Sequence, residues 1–363
     1  MNKIRMTVCL ALVCAGYLLA SGNDLTNNDS KVVVLSSTSE RIQYVGRFSD
    51  DFCFGWSGST MRVKFNGTDL LAKVKLVQGG KGGLQVVIDG KPNTEKLYIT
   101  KDQDIYVIAS DLEPGEHTVE LVKTGEGYIS EMCLEEFSLP NGGEFLPIDK
   151  RDRQIMVLGD SITCGYANEI LDRNTGNNVT NQNAYFTYGQ VAGRELNADV
   201  TMICQSGYGI FRNRSMQNDQ QGVIPKIFDR TLPRNSKLKY DFSLADPDVI
   251  SINLGTNDKA NGDKKGELQK DDYIGASTNF INQLEVLYPN AKIIVSIGPM
   301  YRGDDVVSWL KEIAASNPKV YFLLYGKMSD PDDIAGHWHP SVKMHKKMGK
   351  TLQDKIVEIT GWK

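Results

Sequence analysis

Along the chain, two hydrophobic patterns follow one another. From Lys31 to about Leu139, short runs alternate apolar and polar residues. The run TMRVKFNGTDLLAKVKL carries an Asn66-Gly67 turn signal, LQVVIDGKP carries Asp89-Gly90, and IYVIASDLEPGEHTVELVK carries Pro114-Gly115. Strands of period two with tight turns between them and no helical period predict a β-sandwich, jelly-roll-like in form.

After Arg153 the pattern changes. Five runs, QIMVLG, DVTMICQ, PDVISINLG, KIIVSIGP and KVYFLLYG, are apolar nearly throughout. Helical periodicity lies between or after them, at Asn183–Leu196, Asp271–Tyr288 and Val342–Ile359. Strands without a polar face, alternating with helices, predict a parallel sheet covered on both sides. Ligands of such sheets bind beyond the carboxyl ends of the strands. The Pro, Gly and charge of LPNGGEFLPIDKRDR mark a linker. The expected domains are therefore 31–140 for the sandwich, 141–153 for the linker and 154–363 for the parallel α/β unit.

A length of 363 residues fits two such cores. The start, MNKIRMTVCLALVCAGYLLASGND, has a basic tip, a short apolar centre and small residues near Ala20 and Gly22. It reads as a secretory signal peptide over 1–22, too short to be a span, and predicts a secreted or periplasmic protein. Lipoprotein anchoring at Cys14 ranks below this, because Val13 is bulky where a small residue is usual. No other segment is long and apolar enough for stable membrane insertion. The formal charge of -4 becomes more negative once Lys3 and Arg5 leave with the signal, which argues against nucleic acid as a partner. Cys53, Cys133, Cys164 and Cys204 then remain, and spacing does not choose among their pairings.

The chemistry gathers at strand ends. Ser161 follows the first apolar strand in VLGDSITCGY, Gly207 follows the second in CQSGYGI, and Asn257 follows the third in NLGTND. His339 follows the fifth in GHWHPS. A serine nucleophile needs a base, and neutral imidazole suits that task near neutral pH. It also needs donors aimed at the oxyanion; the main-chain N–H groups of Ser161 and Gly207 and the side-chain amide of Asn257 are the candidates. The motif is not the Gly-x-Ser-x-Gly nucleophile elbow, since Thr163 stands at its last position. Asp160 and Asp258 read as loop-bonding residues. The pair His337 and His339 lacks the further ligands a zinc site requires, so no metal and no organic cofactor is expected.

Four ordered blocks, Gly159-Asp160-Ser161, Gly207, Gly255-Thr256-Asn257-Asp258 and His339, resemble the SGNH or GDSL hydrolase superfamily. The stretches GDSITCGY, SGYGIFRN, DRTLP, DPDVISINLGTND and WHPSVKMH, preceded by a β-sandwich, are similar to carbohydrate esterase family 2. The resemblance implies an N-terminal sandwich followed by an α/β/α SGNH hydrolase domain with a five-stranded parallel sheet. It also implies removal of acetyl groups from plant cell-wall xylan or mannan, with Ser161 and His339 catalytic. One position departs from the superfamily. Gly336 stands where an Asp usually precedes the catalytic His, so the main-chain carbonyl of Gly336 or a neighbour is the candidate for orienting the ring. Asp330, Asp332 and Asp333 are the alternative acids. Trp338 and Tyr208 are candidates for contact with sugar, Arg212 is a candidate either for the cleft lining or for a solvated loop, and His345 reads as a surface position. The acid limb of activity is expected near the ordinary His value of about 6.5.

The partner expected is an acetylated polysaccharide or oligosaccharide. Two other functions fit the same residues: a carbohydrate-binding protein without turnover, and a lipid or thioester hydrolase of the same superfamily.

Overall fold

The computed structural model describes residues 32–215, 222–260 and 266–363. The signal-peptide reading, with Cys9 and Cys14, falls outside the described residues.

Two antiparallel sheets form the first domain. One runs Val33–Ser36, Ser130–Leu139, Leu70–Gly79, Ile105–Ala109, with Cys53–Phe54 also paired to Ser130–Leu139. The other runs Glu144–Leu146, Thr60–Gly67, Gly115–Lys123, Gly82–Ile88, Lys91–Pro92, with short strands Ile42–Val45 and Leu97–Ile99 on its members. The two enclose one core that includes Phe54, Met61, Phe65, Val74, Leu121 and Phe137. Period-two alternation points one set of side chains inward from each sheet, as a sandwich requires. Asp89, at φ 50, and Gly90, at φ 76, make the predicted turn. Cys53 sits opposite Cys133 on neighbouring strands and forms a disulfide with it; Cys164 and Cys204 are free and buried.

Within 141–153, Glu144–Leu146 pairs with Thr60–Gly67, and Phe145 is buried in the first core. The Pro and Gly of this stretch bracket a strand, because one large apolar side chain inside it finds a place to pack.

The second domain is a five-stranded parallel sheet in the order Ala198–Cys204, Arg153–Gly159, Val249–Asn253, Lys292–Ile297, Val320–Leu324. Each strand feeds both faces. Met156 and Leu158 pack with helices Lys270–Leu287 and Asp304–Ser316, while Ile155 and Val157 pack with helices Tyr188–Glu195 and Val342–Thr360. That is why these strands have no polar face. The helix expected over Asn183–Leu196 is divided: a 3-10 turn covers Ala184–Phe186, Thr187 is extended, and the α-helix begins at Tyr188. In sequence terms the sheet order is 2-1-3-4-5, which reverses direction between the first and third strands. A crevice opens at the carboxyl ends of those two strands, the usual ligand position in doubly wound sheets.

The domains are joined by buried polar contacts. Arg47 of the first domain is fully buried against the second; its guanidinium lies 4.0 Å from the Tyr240 ring centroid and donates to the carbonyls of Phe228 and Arg230. Arg62 pairs with Asp199 at 3.2 Å, and Gln43 donates to the same carboxylate at 2.7 Å.

Candidate active site

Ser161 opens a one-turn helix, Ser161–Cys164, at the tip of strand Arg153–Gly159. Asp160 caps that turn: its Oδ1 accepts the Ile162 N–H at 2.9 Å, satisfying a donor the helix start leaves open. Gly207 follows strand Ala198–Cys204 and adopts φ 83, a left-handed conformation that suits glycine. Asn257 lies on the short helix Thr256–Lys259 beyond the third strand, and His339 in the loop before the last helix. All four line one cavity of about 410 Å³ at the switch point of the sheet.

The decisive contact is between Ser161 and His339. Ser161 Oγ and His339 Nε2 are 2.8 Å apart, and both residues are buried. Burial pushes the imidazole down to about 4, assisted by the nearby charges of His337 and Arg214 and opposed by main-chain acceptors. The ring is therefore neutral at pH 7, with one nitrogen free to accept the serine proton. This also moves the expected acid limb well below the ordinary His value, because the ring is far more enclosed than a loop position suggests.

The other nitrogen, His339 Nδ1, faces the carbonyl of His337 at 3.1 Å. The carbonyl of Gly336 instead accepts the main-chain N–H of His339 at 3.1 Å, closing a turn. The acceptor within hydrogen-bond distance of Nδ1 is thus the carbonyl of His337, the neighbour of Gly336, and the Gly336 carbonyl also favours the protonated ring. Gly336 has a different requirement: a Cβ there would meet the Thr175 carbonyl oxygen at 2.5 Å and Ala167 Cβ at 2.7 Å. His337 and Trp338 are both left-handed, at φ 47 and 63, a conformation that costs L-residues about 1–2 kcal/mol each. Tyr166 steadies this loop. Its ring stacks on His339 with centroids 4.3 Å apart, and its hydroxyl is 3.0 Å from His337 Nδ1.

Among the described residues no carboxylate is hydrogen-bonded to the imidazole. Asp330 pairs with Lys343 at 2.6 Å and caps the turn Pro331–Asp333. Asp333 is fully buried and pairs with Lys347 at 2.6 Å, and Asp332 is exposed.

Asn257 occupies a junction. Its side-chain amide donates to the Tyr208 carbonyl at 2.8 Å and to Asp160 Oδ2 at 3.1 Å, tying the second and third strand ends to the first. Burial pushes the Asp160 carboxyl up to about 7, with the charges of Asp258 and Glu126 adding to the effect and main-chain donors opposing it. Asp258 is likewise pushed up by burial, yet it accepts the N–H groups of Ile210, Phe211 and Arg212.

Three sequence expectations change. Tyr208 is buried in the core of the second domain rather than presented to a ligand. Arg212 turns away from the cavity, its Nε donating to the Asp258 carbonyl at 2.7 Å. His345 is fully buried, because the last helix turns it toward Tyr188, whose N–H it accepts at 3.3 Å; burial pushes it down to about 3. Trp338 is 57 % exposed beside the cavity and lies 4.9 Å from the Arg173 guanidinium. Sequence reasoning passed over Tyr166, Ser206, Arg214 and Met300, which also line the cavity, and weighed His337 there only as a metal ligand. For Tyr166 a signal existed: it closes the GDSITCGY stretch. Among the described residues no cluster of metal-ligating side chains occurs.

Comparison with known proteins places this arrangement. Residues 44–148 match the family model for the carbohydrate esterase 2 N-terminal domain, and 157–347 match that of the GDSL-like lipase/acylhydrolase family. A solved family two carbohydrate esterase from Clostridium thermocellum, in complex with cellohexaose, is 31% identical and superposes with a TM-score of 0.81, covering 89% of this chain and 100% of that one. The chain belongs to carbohydrate esterase family 2. An acetylxylan esterase / glucomannan deacetylase of Cellvibrio japonicus is 26% identical to this esterase across 99% of the chain and 100% of its own length. The cellulase/esterase CelE of Acetivibrio thermocellus is 31% identical over 88% of the chain, which spans only 40% of that longer protein. Among the described residues of the esterase no helix is long and apolar enough to cross a membrane.

Proposed function

We propose that this carbohydrate esterase is a secreted serine enzyme that removes O-acetyl groups from plant cell-wall polysaccharide, of the xylan or mannan type, through an acetyl-enzyme. The observation that carries this reading is the 2.8 Å contact between Ser161 Oγ and a neutral His339 at the wall of the cavity. The similarity to the acetylxylan esterase / glucomannan deacetylase of Cellvibrio japonicus supports the substrate class.

In this mechanism Ser161 Oγ attacks the acetyl carbonyl as His339 Nε2 takes its proton. His339 then returns the proton to the departing sugar oxygen, and water repeats the sequence to release acetate. The Ser161 and Gly207 N–H groups face the developing oxyanion. A third donor from Asn257 requires that one of its present hydrogen bonds pass to the substrate, and the longer one, to Asp160, is the one to yield. The His337 carbonyl holds the Nδ1 proton, so the ring keeps the tautomer that presents Nε2 as acceptor. It brings no full charge, and the imidazolium formed during attack gains less than in a Ser-His-Asp triad. The Cys53–Cys133 disulfide supports passage through an oxidising compartment.

The test is acetate release from acetylated xylan, acetylated mannan and acetylated small sugars, with Ser161→Ala as control. Release from a polysaccharide that stops in the variant supports the reading. A preference for long acyl esters in the wild type would move it to the lipid hydrolases, and no turnover with retained glycan binding to a non-catalytic binder.

A further inference from the structure

The first domain sends one turn into the second. Between strands Gly115–Lys123 and Ser130–Leu139, the stretch KTGEGYI leaves the sandwich and reaches beneath the cavity. Glu126 at its tip is fully buried. Its Oε2 accepts the Ser206 N–H at 2.7 Å, and its Oε1 accepts the Ser206 hydroxyl at 2.6 Å. Ser206 immediately precedes Gly207. The same Oε1 accepts Gln182 Nε2 at 3.2 Å, and that amide also donates to the Cys164 carbonyl at 3.0 Å, at the end of the helix that Ser161 begins.

One carboxylate thus holds the loops of both main-chain donors, directly at Ser206 and through Gln182 at Cys164. Burying a carboxylate is costly unless it is fully hydrogen-bonded, and this one gathers several donors. The turn that carries it is itself fixed. Lys123, fully buried, donates to the carbonyls of Gly125 and Glu126, and the Thr124 carbonyl accepts the Ala184 N–H of the second domain at 2.9 Å.

We propose that Glu126 is a positioning residue for the oxyanion site, supplied to the hydrolase domain by the sandwich domain. It does not touch the ester; it sets where the Gly207 and Ser161 N–H groups point. The sandwich then completes the catalytic unit rather than merely accompanying it. This inference rests on the reading of Ser161 and Gly207 as nucleophile and oxyanion donor.

The test uses the full chain and 4-nitrophenyl acetate. Glu126→Ala leaves the Ser206 N–H and one of the two Gln182 amide N–H groups without an acceptor. Displacing preorganised donors lowers kcat by about tenfold to a hundredfold, while KM stays within about threefold, since oxyanion contacts act mainly on the transition state. Glu126→Gln preserves size and can still accept the Ser206 N–H, but its amide group meets the Gln182 donor. It is expected to restore part of the lost kcat. The rate of Ser161 phosphorylation by diethyl 4-nitrophenyl phosphate should fall in step with kcat, because the same donors receive the phosphoryl oxygen. Turnover is to be expressed per reactive Ser161, which removes the contribution of unfolded protein. Wild-type kcat per reactive serine in Glu126→Ala overturns the proposal, as does a change in KM alone. If the Ala variant does not fold, wild-type kcat in Glu126→Gln overturns it equally. Failure of the underlying reading looks different: Ser161→Ala would then retain turnover, whatever happens at position 126.

Discussion

The two halves of the proposed catalytic pair are held in contrasting ways. Ser161 stands on regular structure: a parallel strand ends, Asp160 caps one helical turn, and the proposed nucleophile is its first residue. His339 stands on an irregular loop with two consecutive left-handed residues, a main-chain carbonyl at Nδ1 and an aromatic ring against its face. A strand tip places its residue through the hydrogen-bond ladder of the sheet, whatever the side chains nearby. An irregular loop has no ladder, so each contact must be supplied by a particular side chain or a particular backbone conformation. Placement of the His339 ring should therefore depend on individual contacts within its own loop, whereas placement of the Ser161 hydroxyl follows from the strand and its capped turn.

The largest effect tests the pair itself. Ser161→Ala and His339→Ala should each lower kcat by at least about ten thousandfold, since members of such a unit fail together. Ala at 161 removes one oxygen from a capped turn, so circular dichroism should not change. Near wild-type turnover in either variant would break the assignment.

Next is Asn257→Ala. Loss of one oxyanion donor costs about 3 kcal/mol, roughly a hundredfold, and should appear in kcat. Because Asn257 also ties Asp160 to the Tyr208 carbonyl, a fall in melting temperature should accompany it. A change confined to KM would show Asn257 to be a substrate contact instead.

These three positions were legible in the sequence as candidates; the support of the base was not. Alternating runs gave away the sandwich, and fully apolar strands gave away the covered parallel sheet, because both patterns follow directly from which faces meet water. Ser161, Gly207, Asn257 and His339 each sit at a strand end or just before a helix, where a short motif implies its own geometry. The His337 carbonyl carries no residue-type signal at all. Tyr208 misled because a tyrosine beside a motif glycine is as readily turned into the core as into a cleft. His345 misled because the polar residues around it on the last helix hid a position facing Tyr188. Glu126 was out of reach for a different reason: its partners Ser206 and Gln182 are separated from it by 80 and 56 residues.

The third prediction concerns acid. His339 must be neutral to accept the serine proton, and burial lowers it to about 4. The profile of kcat/KM should stay flat down to about pH 5 and fall through a group near 4. With an ordinary His value of about 6.5, activity at pH 5 would instead be lower by roughly thirtyfold. His339 and His345 both bind protons more tightly unfolded than folded, so their contribution to stability is full above about 6.5 and is lost as pH falls through the folded values. Melting temperatures at each pH separate that loss from titration of the base. A limb near 6.5 in a fully folded protein would mean that the ring is more open to water than its enclosure here.

A smaller effect probes the loop. Tyr166→Phe keeps the ring stacked on His339 and removes only the hydroxyl contact to His337. One such hydrogen bond is worth about 1 kcal/mol, so kcat should fall about three- to tenfold. If Tyr166→Phe equals wild type while Tyr166→Ala is impaired, the stack alone steadies the base.

The smallest expected effect is the most informative about how the base works without an acid. Asp330→Asn, Asp332→Asn and Asp333→Asn should each keep kcat within about threefold, because none of these carboxylates reaches the imidazole. In a triad, amidating the acid costs about ten thousandfold, since the ring is then held in the wrong tautomer. The three variants should still differ in stability. Asp333 is fully buried against Lys347 and its Oδ2 accepts the Asp330 N–H, so replacing it should cost on the order of 1–3 kcal/mol. Asp330 caps an exposed turn, where solvent screens its charge pair and replacement should cost little stability, and Asp332 is more exposed still. Activity and stability are thus expected to part company along this series. A folded Asn variant with activity down by several orders of magnitude would mean that its loop swings during turnover to deliver a carboxylate to Nδ1. The His337 carbonyl would then be a resting partner only, and the contrast between a nucleophile fixed by the sheet and a base fixed by its own backbone would have to be given up.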